Sequence, residues 1–216
     1  TVPLCGHALL YEADSRLEEN LNELLKSNDN YSIIIGDFLK SNLEADIKKY
    51  DYSKIYVVAN LPYYITTPII LKFIDSDVLP DKMIVMVQKE VAARLSASVG
   101  SRDYGSLTVF LNYYYNIKKL FDVSRNCFMP KPNVDSAVVC FELKKEREQV
   151  LDIALFKRLV KDSFSFKRKT LRNNLKNYDL KIIENVLMMY GFDLGVRAEA
   201  LSLKIFVEMA NALVKK

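Results

Sequence analysis

Apolar and polar positions fall into two kinds of run along this 216-residue chain. Short runs that are apolar throughout alternate with longer stretches in which apolar residues return every three or four positions. Residues 7–13 (HALLYEA) read as a strand ending in acid. Residues 15–26 read as a helix, with Leu17, Leu21, Leu24 and Leu25 on one face and Ser15 with Glu18 as a capping box. A β-branched run at 31–35 predicts a second strand, punctuated by Gly36-Asp37, and residues 55–59 predict a third. Thr67-Pro68 opens a helix with proline in its first turn, continuing through Ile70, Leu71 and Ile74. Residues 83–87 predict a fourth strand and 91–95 a helix. Nearly apolar strands alternating with helices predict a parallel sheet covered on both faces.

After Gly105 the pattern predicts a helix over 107–115 and two longer strands, 117–123 and 134–143. The connection between them carries Met129-Pro130-Lys131-Pro132. These strands are expected to close the sheet as an antiparallel pair. Charge-rich residues 144–148 read as a linker, and everything beyond is helical, over 156–163, 182–190 and 202–214. The expected fold class is therefore α/β with a small C-terminal helical domain. The boundary falls near Arg147, giving an α/β domain over 1–147 and a helical domain over 148–216.

Composition narrows the function class. Half the residues are hydrophobic and 27% are charged, an ordinary globular balance. No apolar stretch approaches the roughly 20 residues of a membrane helix, and the start has no signal-peptide pattern. Cys5, Cys127 and Cys140 are widely spaced, which points to reduced thiols in an intracellular setting. With one histidine, His7, a histidine-ligated metal is not expected. The net charge of +4 is uneven. Residues 157–181 hold nine Lys/Arg and two Asp, a local net of +7, so the remainder sums to −3. Charge gathered in one segment suits a polyanion, although a solvated helix face reads the same way.

The candidate chemistry sits at strand ends. Asn60-Leu61-Pro62-Tyr63 follows the third strand and offers a side-chain amide, carbonyls freed from sheet pairing and a flat ring. That set suits an exocyclic amine on a flipped adenine or cytosine, and so points to amine methylation. A plain strand-ending turn is the simpler alternative. Glu12 ends the first strand, where open α/β sheets bind ligands, and can accept from both ribose hydroxyls. Asp37 holds the matching place on the next strand, where it can bind an adenine amino group or merely shape a turn. Adenosine joined to methionine is the ligand this order suggests. Phe128, in a proline-flanked loop, can stack on the second face of the base or fill a core. Lys167, Arg168, Lys169 and Arg172 cluster near a helix start and suit phosphate. Arg94 and Arg102 flank a Gly- and Ser-containing loop suited to an RNA backbone, and are equally readable as surface charges.

These residues resemble the ribosomal RNA adenine dimethyltransferase family, the KsgA-like enzymes with the Erm enzymes as relatives. The resemblance covers essentially the whole chain. It rests on Tyr11-Glu12-Ala13-Asp14, Gly36-Asp37-Phe38, Asn60-Leu61-Pro62-Tyr63-Tyr64-Ile65 and Gln88-Lys89-Glu90-Val91-Ala92-Ala93-Arg94-Leu95. It continues through Tyr104-Gly105-Ser106-Leu107, Phe128-Met129-Pro130-Lys131-Pro132-Asn133-Val134-Asp135-Ser136, Lys167-Arg168-Lys169-Thr170-Leu171 and Arg197-Ala198-Glu199-Ala200-Leu201. The last two motifs favour the KsgA-like branch. The resemblance implies a class I S-adenosylmethionine-dependent methyltransferase with a Rossmann-like sheet, and no metal. It implies dimethylation of two adjacent adenosines in small-subunit ribosomal RNA during ribosome biogenesis in the cytoplasm, with no obligate protein partner and no membrane. Catalytic roles are then expected of Asn60, Leu61, Pro62, Tyr63 and Phe128, and donor contacts of Glu12, Asp37, Phe38 and Asn60.

The family carries a G-x-G-x-G-like loop after its first strand, and this chain, with six glycines, has none. The chain reads as starting just beyond that loop, with Thr1 at the start of the following helix. The first strand and Gly-rich loop are expected to be missing. Open edges are then expected beside the strands ending at Glu12 and Asn60, with weak donor binding and little activity in this piece alone. A non-catalytic RNA-binding assembly factor, and a methyltransferase for large-subunit RNA or DNA, remain as other readings.

Overall fold

The computed structural model describes residues 2–76 and 78–215. Thr1, the expected helix start, lies outside the described residues. The chain divides into two compact units, one built from 2–57 with 61–81 and the other from 58–60 with 82–215.

In the first unit, β1 (Ala8–Glu12) and β2 (Tyr31–Ile35) pair in parallel, with Ala8 opposite Tyr31 and Glu12 opposite Ile35. The apolar runs thus form strands where expected, yet every residue of both is only half-buried. The expected single sheet covered on both faces is not formed: β1 and β2 make a two-stranded sheet of their own. A 3₁₀ turn over Ser15–Leu17 leads into α1 (Glu18–Leu25). The capping box gives way to Asp14, whose carboxylate accepts from the Arg16 N–H at 3.0 Å. An acidic side chain bonding two residues ahead stabilises a tight turn better than an α-turn. The leucine stripe of α1 is largely open, with Leu24 76% exposed.

His7 packs on β2. Its Nε2 lies 3.0 Å from the Ser32 hydroxyl, and its ring stacks on Tyr50 at 4.0 Å. Two further helices follow, α2 (Leu43–Ile47), capped by the Asn42 side chain, and α3 (Thr66–Asp75). The apolar face of α3 buries Ile69, Ile70, Phe73 and Ile74.

The second unit is built on a sheet of order β3-β4-β6-β5, from β3 (Tyr56–Asn60), β4 (Lys82–Gln88), β5 (Tyr115–Val123) and β6 (Ser136–Leu143). The expected antiparallel pairing of the last two strands is present, and β6 also pairs antiparallel with β4. Strict alternation buries Met83, Val85 and Val87 of β4. The outer strand β5 is mostly exposed and slips register between Lys119 and Phe121, a bulge that suits an edge. At the other edge, β3 exposes Tyr56 and Val58 on one face.

Helices α4 (Lys89–Leu95) and α5 (Ser106–Tyr114) precede β5. Beyond β6 come α6 (Ile153–Ser163), α7 (Leu171–Asn174), α8 (Leu180–Met188) and α9 (Leu203–Val214). Asp152 and Asp179 cap α6 and α8. One apolar cluster runs from Tyr104 and Val109 through Phe156, Leu187 and Phe206. The segment read as a linker is tied down. The Lys144 amine donates to the Asn112 carbonyl, Arg147 lies over the Tyr113 and Tyr114 rings, and the Asn211 amide holds Gln149 and Leu151. Its charges serve as cation–π and backbone partners, which a composition count does not register.

Tyr104 is buried in that cluster and donates its hydroxyl to the Leu201 carbonyl at 3.0 Å. Burial pushes its phenol up to about 12, so it stays a neutral donor near neutrality. Tyr104→Phe leaves the Leu201 carbonyl without this donor and is expected to cost about 1–2 kcal/mol in a denaturant titration. A loss below ~0.3 kcal/mol would show that water replaces the bond.

Candidate active site and nucleic-acid interface

The parallel register places the ends of β1 and β2 side by side. Glu12 lies opposite Ile35, and the Gly36 N–H donates to the Glu12 carbonyl at 2.8 Å. Gly36 has φ of 141°, a conformation that only glycine adopts without strain. One Glu12 carboxylate oxygen accepts from the Asp14 N–H at 2.8 Å. Asp14 in turn pairs with Arg16 at 2.6 Å, and hydrogen bonds from that side chain hold its carboxyl below the usual range. Asp37 caps the 3₁₀ turn Phe38–Lys40 by accepting from Leu39 N–H at 2.9 Å. The turn and the ligand readings of Asp37 are thus compatible, since this bond uses one of its two carboxylate oxygens.

Phe38 is half-buried and framed on several sides. Tyr11 meets it edge-on at 5.0 Å between centroids, and Phe73 lies at 5.6 Å. The Tyr11 hydroxyl donates to Asp46, and burial together with that carboxylate pushes its phenol far above its usual range. Lys72, on α3, carries no motif. Its amine donates to the carbonyls of Leu39 (2.9 Å) and Ser41 (2.7 Å) and sits 5.9 Å from the Phe38 centroid. The signal available in sequence was a lone cation inside the apolar run Ile69-Ile70-Leu71-Lys72-Phe73-Ile74.

β3 ends at Asn60, which shares the exposed face of the strand with Tyr56 and Val58. Leu61 then turns inward and is 6% exposed, anchoring the chain. Pro62 ends the strand geometry and leads into a 3₁₀ turn over Tyr63–Ile65. Its carbonyl accepts from the Ile65 N–H at 3.2 Å and from the Thr66 hydroxyl at 3.2 Å. Both lone pairs of the Pro62 oxygen are therefore engaged. A catalytic role is expected of both Leu61 and Pro62; among the described residues the Leu61 carbonyl accepts no such bond. Tyr63 is half-buried, and Tyr64 is the outward ring at 86% exposure.

In the second unit, Phe128 ends a 3₁₀ turn over Arg125–Cys127 and is half-buried. This placement lies between the two readings of it. The loop around it is braced: Arg125 donates its backbone N–H to Asp135 and its guanidinium to the Asn133 carbonyl, both at 3.0 Å. Arg125, Asn133 and Asp135 line a cleft of about 540 Å³ with Gln88, Lys89 and Glu90. Gln88, Lys89 and Glu90 belong to a motif that carries the resemblance, although no role is read from them in sequence.

The cations of the candidate interface are all exposed. The Lys167 amine donates to the Arg102 carbonyl at 2.6 Å, which brings together two segments 65 residues apart in sequence. The Gly100 N–H bonds the Glu199 carbonyl at 2.8 Å. Arg94 is held through its backbone, which accepts from Thr108. Arg172 lies in the first turn of the short α7 and faces Glu184 at 3.6 Å. Among the described residues, no group of three or more His, Cys, Asp or Glu side chains is placed to hold a metal ion. No helix there is long and apolar enough to cross a membrane.

Comparisons with known proteins agree with one another. A family model described as ribosomal RNA adenine dimethylase matches residues 4–215. The chain is 42% identical to the ribosomal RNA small subunit methyltransferase A of Staphylococcus aureus strain JH9, over 97% of this chain and 74% of that protein. It is similar in structure to a dimethyladenosine transferase from Plasmodium falciparum, with TM-score 0.76 and 25% identity, over 96% of this chain and 82% of that one. The 23S rRNA methyltransferase ErmE shares the fold, with TM-score 0.71 and 22% identity over 96% of this chain and 82% of its own.

Proposed function

The chain belongs to the ribosomal RNA adenine dimethylase family, and on that premise we propose that it dimethylates the exocyclic amines of two adjacent adenosines in small-subunit ribosomal RNA during ribosome assembly. Membership makes it a methyltransferase with a Rossmann-like α/β fold. We take S-adenosylmethionine as the methyl donor, the pre-small subunit as the partner and the cytoplasm as the place of action.

The residues at the ends of β1 and β2 fit an adenosine. Glu12 keeps a second carboxylate oxygen for ribose hydroxyls beyond the one bonded to Asp14. Asp37 and the backbone beside it would meet an adenine amino group, and the framed Phe38 ring would pack on the base. When bound, the donor supplies an electrophilic methyl carbon on a sulfonium.

The observation that most directly supports the chemistry is how the carbonyls after β3 are used. With the Pro62 oxygen engaged twice, the Asn60 side-chain oxygen and the Leu61 carbonyl are left as acceptors for the two amine protons. An adenine amine is a weak nucleophile because its lone pair is delocalised into the ring. Accepting both protons draws the nitrogen towards tetrahedral geometry and aims its lone pair. Alignment of this kind supplies large rate factors without a strong base. After the first transfer one acceptor contact is given up so that the remaining lone pair can turn. Tyr63 and Phe128 are assigned as stacking rings for a flipped base. Residues 148–216, with Arg94 and Arg102, are assigned to hold the RNA backbone.

The test is incubation of the complete gene product with undermethylated small subunits and labelled donor. Dimethyladenosine at two adjacent positions of small-subunit RNA is expected by mass spectrometry. Label confined to large-subunit RNA, or none in either, would reject the proposal.

Lys72 supplies a prediction on the donor side alone. By holding the Leu39 and Ser41 carbonyls it fixes the turn that presents Asp37 and Phe38. Lys72→Met should weaken donor affinity about tenfold, or ~1.4 kcal/mol, the order of one charge-assisted hydrogen bond. Calorimetry with the donor, and RNA binding measured in parallel, checks it. Unaltered donor affinity would remove Lys72 from the site.

A further inference from the structure

Two phenylalanines two residues apart, at the end of α6, have opposite fates. Phe164 packs inward against Tyr104 and Phe206, with centroid distances of 6.1 and 5.8 Å. Phe166 points outward and is 65% exposed. Among the described residues its ring makes no aromatic or cation contact. Scattered exposed apolar residues are normal on protein surfaces, so exposure alone assigns nothing to Phe166.

What distinguishes it is the rigidity of its backbone and the charge around it. The Phe166 carbonyl accepts from Lys169 N–H at 2.8 Å and from the Asn174 amide at 3.3 Å, and that amide also holds the Ser163 carbonyl at 2.6 Å. Ser165 N–H bonds Asp162, and Lys167 is fastened to Arg102. The ring therefore stands on a turn fixed on both sides, so holding it out costs little further ordering on binding. Lys167, Arg168, Lys169 and Arg172 follow it directly, all exposed. A flat apolar face beside a run of cations is the composition of a single-stranded nucleic-acid platform, in which cations hold phosphates and the ring stacks on a base. A protein partner would need acidic complementarity and would have no particular use for one isolated ring.

We propose that Phe166 is a base-stacking subsite that takes one unpaired nucleobase of the bound RNA while the neighbouring cations hold its backbone. This rests on the assignment of these cations to RNA, and it adds a preference for RNA with an unpaired nucleotide over a continuous duplex. The subsite lies on the helical segment and is separate from the residues assigned to the target adenines.

The test uses the complete gene product and a hairpin RNA carrying 2-aminopurine in its loop, with a fully paired duplex of equal length as control. Phe166→Ala should weaken hairpin binding about tenfold with an unchanged salt slope, and should leave duplex binding unaltered. Phe166→Tyr should restore hairpin affinity, and the 2-aminopurine quenching seen with wild type should be lost in the alanine variant alone. An alanine variant that binds the hairpin like wild type, or loses equally on hairpin and duplex, would overturn the subsite. So would failure of tyrosine to restore binding. Failure of the RNA assignment itself would be seen differently, as an unchanged salt slope when Arg168 and Lys169 are neutralised.

Discussion

Replacing Asn60 with alanine in the complete gene product lowers methyl transfer by about 10²–10³-fold, while RNA affinity stays within about twofold of wild type. The magnitude follows from removing one preorganised polar group aimed at the reacting centre. The selectivity follows from where Asn60 sits. It ends β3 on an exposed face, and the local fold is secured by its neighbours: Leu61 is buried, and Pro62 is bonded to Ile65 and Thr66. The turn therefore survives loss of the amide. Single-turnover rates with saturating RNA and donor check the first half, and filter binding checks the second. A variant with wild-type turnover would strip Asn60 of its role. A Thr66→Val control is instructive, because it releases one bond on the Pro62 carbonyl and restores an alternative acceptor. Its effect on rate should be far smaller than that of Asn60→Ala.

Reversing the charges of Lys167, Arg168 and Lys169 to glutamate should weaken RNA binding by two orders of magnitude or more at about 0.1 M salt. The plot of log affinity against log salt should become shallower by about two to three units. Each lost phosphate contact reduces that slope by roughly 0.7 to 0.9. Lys167 has a second task, since its amine holds the Arg102 carbonyl. The double variant at Arg168 and Lys169 separates the two: it should show about two-thirds of the triple variant's slope change with the Arg102 segment intact. Methyl transfer at saturating RNA should fall little in either variant. An unchanged slope would take these residues off the RNA, whatever happened to affinity.

Much of this protein is legible in the order of its amino acids. Strands at Ala8–Glu12, Tyr31–Ile35 and Tyr56–Asn60 arise from apolar runs cut by Gly, Asp, Asn and Pro, and α3 begins beside the proline at position 68. These features depend on neighbours in sequence, so the sequence encodes them directly. The candidate residues can be picked out for the same reason, since Glu12, Asp37 and Asn60 stand at or just beyond strand ends, although Asp37 also serves its turn. The capping box expected at Ser15 and Glu18 is where local pattern misleads. Asp14, one residue earlier, competes better for the turn through a short i to i+2 bond.

Tertiary structure alone decided which groups are already committed. The Pro62 oxygen is engaged by Ile65 and Thr66, only three and four residues on, and which carbonyl they take, leaving that of Leu61, is fixed only by the geometry of the turn into α3. Lys72 reaches carbonyls 31 and 33 residues away, and Lys167 reaches one 65 residues away. His7, read in sequence only as the first residue of a strand and given no role, is settled between Ser32 and Tyr50. Phe164 and Phe166 look alike in sequence, and the end of α6 sends one into the core and leaves the other outside. Amino-acid pattern sets the elements and the chemistry available at their ends, because periodicity and turn propensity act over a few residues. Occupancy of groups such as the Lys72 and Lys167 amines is a long-range property, because their hydrogen bonds are assigned only once distant backbone has been brought within about 3 Å.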